Sequence, residues 1–143
     1  MKSQTLFKQI ASLNEIENIA KEVIKSLPSN AIILLEGDLA AGKTTFVSSL
    51  AKTLGIKDVS SPTFSLQQVY GDKIFHYDFY RLDFNEIVEL GLLDEFEKSG
   101  WHFVEWAREE LEELLIDAGF NLFKLEILNL GQSREYILKE IKS

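Results

Sequence analysis

At 143 residues, 45% of them hydrophobic, the chain is long enough to bury a real core as one domain, residues 1–143. Its 23 acidic residues outnumber 15 basic ones for a net charge of -8, and three arginines stand scattered (Arg81, Arg108, Arg134). This argues against a protein that grips DNA or RNA by itself and leaves an acidic surface suited to a basic protein partner. No apolar run approaches the ~20 residues of a membrane span, the N-terminus has no apolar signal segment and there is no cysteine, so a cytoplasmic protein without membrane contact is expected.

In chain order, apolar residues at Ile16, Ile19, Ala20, Val23, Ile24 and Leu27 mark one face of a helix, with Asn14 and Glu17 as its predicted cap. AIILLE, 31–36, is a continuous apolar run suited to a strand covered on both faces. A glycine-containing loop follows, then a second helix carrying Phe46, Val47, Leu50, Ala51 and Leu54, stopped at Gly55. TFSLQQVY and KIFHYDFY are predicted strands around a tight turn at Gly71-Asp72. NEIVELGLLDEFEKSG is predicted helical with a break at Gly91, and WHFVEW a short strand. AREELEELLIDAG is an acidic helix with Ala107, Leu111, Leu114 and Leu115 on its apolar face; FNLFKLEILNL and REYILKEI are strands joined by GQS. The fold class is α/β, a mixed but mainly parallel sheet flanked by helices.

Gly37-x-x-x-x-Gly42-Lys43-Thr44 matches the P-loop pattern in full, with the required strand before it and helix after it. Backbone N–H groups from Gly37, Asp38, Leu39, Ala40, Ala41 and Gly42, with those of Lys43, Thr44 and Thr45 at the helix start, would form an anion cradle. Lys43 would reach the β and γ phosphates, and the Thr44 hydroxyl would ligate Mg2+. A second metal-side carboxylate is expected at the end of an apolar strand, where Asp78 and Glu105 both stand. His76, Asp78 and Tyr80 alternate onto one face, with Arg81 pointing the other way. A lone histidine such as His76 is read as structural. Arg81 is either a transition-state cation or a salt-bridge partner. Trp106 packs on nucleotide, on a partner or in the core. Ser61-Pro62-Thr63-Phe64 is either a turn feeding a strand or a segment whose Thr63 senses the γ phosphate.

Taken in order, GDLAAGKTT, SSPTFSLQQVY, HYDFYRLD, LGLLDEF and VEWARE resemble the TsaE (YjeE) family over about Leu6 to Ile141. The resemblance implies a P-loop NTPase fold that binds ATP and Mg2+ and hydrolyses ATP weakly alone. It also implies two protein partners, TsaD and TsaB, with tRNA reached only through that complex, in the making of threonylcarbamoyladenosine in ANN-decoding tRNAs. Hydrolysis would drive turnover of the complex. By the same resemblance Lys43, Thr63, Asp78, Arg81 and Glu105 are catalytic, Thr44, Asp78 and Glu105 lie on the metal side, and Trp106 belongs to the nucleotide site. The family loop commonly reads GDLGAGKT. Ala40 therefore replaces a glycine, and a negative φ with little loss of nucleotide affinity is expected there. Two other readings stand beside this one, a P-loop small-molecule kinase and a nucleotide-gated binding module.

Overall fold

A computed structural model describes residues 2–38, 41–59 and 66–143. Met1, Leu39, Ala40 and residues 60–65 lie outside the described set, and with them the expectations for Ala40, Leu39 and the Ser61-Pro62-Thr63-Phe64 segment.

The elements run β1 (Lys2–Ser12), a 3-10 turn (Leu13–Glu15), α1 (Ile16–Ser26), β2 (Ala31–Glu36), α2 (Lys43–Thr53), β3 (Gln67–Tyr70), β4 (Ile74–Asp78), α3 (Phe84–Glu89), α4 (Leu92–Glu95), β5 (Trp101–Glu105), α5 (Glu109–Asp117), β6 (Leu122–Asn129) and β7 (Ser133–Lys142). One seven-stranded sheet has the order β1-β7-β6-β2-β5-β4-β3. Its centre is parallel: β2 lies between β5 and β6, and β4 pairs with β5. Its edges are antiparallel, through β3–β4, β6–β7 and β1–β7.

Helices cover both faces of β2, so Ala31 to Leu35 are all buried, as an apolar run between two helical layers must be. On one face Ile33 and Leu35 pack with Ile19 and Val23 of α1 and with Phe46, Val47 and Leu50 of α2. On the other, Ile32 and Leu34 pack with Ile87 of α3, Leu92 of α4, and Leu111 and Leu115 of α5. Phe46 is fully buried against Phe103 and Tyr136, and burial of that ring stabilises the fold by roughly 2–3 kcal/mol. These contacts hold the loop between β2 and α2 at the carboxyl end of the parallel strands, where the site lies.

The structure departs from the sequence-based expectations in several places. β1 forms, although KSQTLFKQIAS lacks a clean alternation; ten residues of register with β7 supply the pairing that its own pattern does not advertise. The N-terminal cap is not Asn14 with Glu17. Ser12 and Glu15 make the capping box two residues earlier, and α1 begins after it. Leu114 is half-exposed on α5, whose buried side is Leu111 and Leu115. No helix among the described residues is long and apolar enough to cross a membrane.

Candidate active site

The loop after β2 is shaped by two glycines. At Gly37, φ is +152° and an added Cβ would come within 2.5 Å of the Ile127 carbonyl oxygen on β6, so a side chain has no room. At Gly42, φ is +99°, a left-handed turn into α2 that other residues adopt only with strain. Ala41 closes the loop by donating its N–H to the Asp38 carbonyl at 2.9 Å.

Lys43, the first residue of α2, is 3% exposed. Its Nζ donates to the Gly37 carbonyl at 2.9 Å and lies 3.8 Å from the centre of the Trp106 ring. A buried ammonium is tolerable only when paired, and here a carbonyl and an aromatic face share it. Trp106 follows β5 with φ of +62°, the one non-glycine residue in that region among the described residues. The strained backbone turns its ring back over Lys43 and edge-on to Tyr80, with ring centres 5.0 Å apart.

Glu105 ends β5 with 5% exposure. Thr44 Oγ1 donates to its Oε2 at 3.0 Å, and His76 Nε2 contacts the same oxygen. Burial pushes the Glu105 carboxyl up. The hydrogen bond and charge of His76, the Thr44 hydroxyl and the charge of Lys43 more than offset this and hold it below its usual value. An ionised carboxylate only accepts, so His76 Nε2 carries the proton in this contact. The arrangement follows from strand parity. β4 and β5 pair in parallel with Asp78 opposite Glu105 and His76 opposite Phe103, which sets His76, Asp78 and Glu105 on one face, over α2.

Asp78 is exposed at the end of β4, and its Oδ1 accepts the Tyr80 N–H at 3.0 Å, turning the chain. Arg81 therefore does not point away from the site, as an extended chain would require. The strand stops at Asp78, the Leu82 N–H bonds the Phe79 carbonyl, and the turn brings Arg81 back to the mouth of the site. Arg108 braces this turn through the carbonyls of Leu82 and Tyr80, at 3.0 and 3.2 Å. Arg81 forms no ion pair among the described residues, although Asp78 and Glu105 line the same cavity.

Lys43, Thr44, Asp78, Arg81, Glu105 and Trp106 thus line one cavity of about 460 Å³. A second space of about 280 Å³, lined by Gly37, Ala107 and Glu112, shares Lys43 and Trp106 with the first. Thr45 borders a neighbouring groove with Thr44, Ser48 and Lys52 and stands in the first turn of α2. His76 is the functional candidate that sequence reasoning passed over. Its signal was the alternation with Asp78, which becomes informative only once β4 is known to lie beside β5.

The donor set suits a hard cation with phosphate. A hydroxyl and carboxylates offer oxygen ligands of the kind Mg2+ takes, with phosphate and water completing its shell. At Gly37 and Gly42 no side chain screens the backbone, which suits close approach of an anion. Among the described residues no three of His, Cys, Asp and Glu converge as a self-sufficient metal cage.

A buried parallel strand, a glycine-turned loop and a helix opening on Lys-Thr, with an acid at the end of the adjacent strand, define the P-loop NTPase fold. Within it the chain belongs to the family of threonylcarbamoyl adenosine biosynthesis protein TsaE, whose model matches residues 10–136. It is 34% identical over 139 residues to the tRNA threonylcarbamoyladenosine biosynthesis protein TsaE of Bacillus subtilis, covering 89% of this chain and 87% of that protein. It is 40% identical over 110 residues to the protein of the same name from Rickettsia prowazekii, covering 73% and 75%. A crystal structure of Bacillus subtilis YdiB superposes with a TM-score of 0.68 at 26% identity, covering 99% of this chain and 88% of that one.

Proposed function

We propose that the chain binds ATP with Mg2+ and hydrolyses it as an accessory subunit in threonylcarbamoyladenosine formation on ANN-decoding tRNAs, where hydrolysis drives turnover of a TsaD–TsaB complex. The single observation that carries this reading is the meeting of the Thr44 hydroxyl and the buried Glu105 carboxylate at 3.0 Å beside Lys43. That pair would hold the metal ion. When bound, Mg2+ supplies charge neutralisation to the phosphates.

The chain's own residues divide the work. The glycine-turned loop and the start of α2 hold phosphate oxygens through backbone N–H groups. Lys43 exchanges the Gly37 carbonyl and the Trp106 face for phosphate. Thr44 and Glu105 hold the metal side, and His76 orients the Glu105 carboxylate through its Nε2. Asp78, exposed at the cavity mouth, is on the water side. Arg81 lies beside it, placed to meet charge that develops during transfer to water. Trp106 covers the Lys43 end of the cavity and excludes water there.

A small-molecule kinase would need several cations to clamp its acceptor. Arg108 is committed to the Tyr80 and Leu82 carbonyls, and Arg134 to backbone carbonyls as well, so Arg81 is the one arginine in the cavity and joins only Lys43 there among the described residues. The test is phosphate release from ATP by the purified chain, alone and with TsaD, TsaB and tRNA. Slow turnover alone and a large increase with the partners is expected. Equal rates in both conditions, or transfer of phosphate to a metabolite, would refute the proposal.

A further inference from the structure

We infer that Arg134 is a positioning residue for the phosphate loop, acting through the Ala41–Gly42 peptide; this rests on the ATP reading above. Arg134 stands near the start of β7, 93 residues from the loop in sequence. Its Nε donates to the Ala41 carbonyl at 3.1 Å. Its Nη1 donates to the carbonyls of Gly131, in the turn after β6, and Ser133, the first residue of β7, at 2.8 and 2.9 Å. One edge of a rigid, always-charged fork is thus anchored in its own hairpin while the other grips the loop.

The carbonyl it holds matters because of what lies across the peptide. In a trans peptide the C=O and the following N–H point in opposite directions. Drawing the Ala41 oxygen toward the hairpin turns the Gly42 N–H away from it, to the side left open for an anion. Gly42, at φ +99°, has no side chain to fix that peptide, so an external partner supplies the constraint. A full positive charge on the carbonyl also polarises the peptide and strengthens its N–H as a donor. The close seat of Gly37 on the Ile127 carbonyl sets the other end of the loop on β6. The β6–β7 hairpin is therefore the backstop of the phosphate loop, and Arg134 is the one charged contact between them among the described residues.

The test uses the full chain with Arg134→Ala, Arg134→Lys and, as a control, Asn129→Ala. The last removes the Asn129 Oδ1 contact to the Gly131 N–H, at 2.9 Å, loosening the same hairpin without touching Ala41. Titration calorimetry reads the affinity for ATP with Mg2+, and thermal melting of the nucleotide-free protein reads stability. We expect Arg134→Ala to weaken ATP binding about tenfold and Arg134→Lys about threefold, with Asn129→Ala lowering the melting temperature but staying within about twofold of wild type in affinity. Should Arg134→Ala fail to fold, Arg134→Lys decides. Affinities within about twofold of wild type for every folded Arg134 variant would overturn the inference and leave the ATP reading intact, as would an affinity loss in Asn129→Ala that tracks its loss of stability. Wild-type protein that binds no ATP would overturn both.

Discussion

Two buried histidines lie on opposite faces of the same sheet, and their neighbours give them different work. His76, on the α2 face, touches the Glu105 carboxylate, which also accepts the Thr44 hydroxyl. His102, on the other face, is stacked on Phe75 with ring centres 4.3 Å apart. It contacts the Tyr77 hydroxyl through Nδ1 at 2.7 Å and the Lys98 carbonyl through Nε2 at 2.8 Å. A carbonyl only accepts, so Nε2 carries the proton, Nδ1 is an acceptor, and Tyr77 donates to it. Gln67 then donates to Tyr77 and to Glu95 at 3.3 and 2.9 Å, ending the chain on a carboxylate that Lys98 also pairs. This second network is closed: every member has its partner within the protein. The first is open, because Glu105 and Thr44 line a cavity and can exchange partners. Burial alone therefore does not mark a functional histidine, and neither does an adjoining space, since His102 borders one of about 200 Å³; the partner does, because His76 holds a carboxylate that lines the cavity of Lys43 and Thr44.

The largest effect is expected on the open face. Lys43→Ala removes the buried ammonium and should weaken ATP binding by about 100-fold in a calorimetric titration while leaving the His102 network and the melting curve near wild type. Next is His76→Asn, which takes away the partner that orients Glu105. Its ATPase rate with partners present should fall by about tenfold, with ATP affinity changed far less. If both quantities are untouched, the two histidines are alike and the contrast fails.

On the closed face, His102→Gln should lower unfolding free energy in urea by about 1–3 kcal/mol and leave ATP turnover within about twofold. It should also change the response to acid. Burial lowers the His102 pKa from its ordinary value, so the unfolded chain takes up a proton at a higher pH than the folded one. The stability contributed by neutral His102 is present in full above about pH 6.5 and declines as pH falls toward the lowered folded value. Glu95 adds a second acid loss lower on the scale. Burial would raise its carboxyl, but hydrogen bonds from Lys98 and Gln67 hold it below the usual value. Its contribution is present above about pH 4.5 and is lost as pH falls through the folded value. Urea melts at pH 7.5 and 5.5 should show wild type weakening between them and His102→Gln weakening less.

The smallest effect belongs to Trp106→Phe. A phenyl ring keeps an aromatic face for Lys43, so ATP affinity should stay within about threefold. ATP should change the tryptophan fluorescence of the wild-type chain but not of this variant, because Trp101, the second tryptophan, is bound at the opposite end of β5 through the Pro28 carbonyl.

The contrast between the two faces also explains what the sequence could show. The P-loop was legible because its parts are contiguous: strand, glycines, Lys43 and helix all fall within AIILLEGDLAAGKTTFVSSLAKT. The mainly parallel centre and the antiparallel tail were legible from a doubly buried run and a short turn at GQS. β1 was not, since its stability comes from β7 at the far end of the chain. Arg81 was misdirected because the Asx turn at Asp78 ends the strand earlier than the apolar pattern does. His76 and Arg134 act through residues 29 and 93 positions away, pairings that only the sheet order creates.

The central claim is that hydrolysis, rather than nucleotide binding alone, is what this chain contributes. Glu105→Ala, assayed with TsaD, TsaB, tRNA and ATP for repeated rounds of threonylcarbamoyladenosine formation, tests it most directly. The expected result is a protein that still binds ATP, releases phosphate at least about 100-fold more slowly, and supports no more than a single round per complex. Repeated rounds at the wild-type rate without phosphate release would contradict it and make the chain a nucleotide-gated binding module.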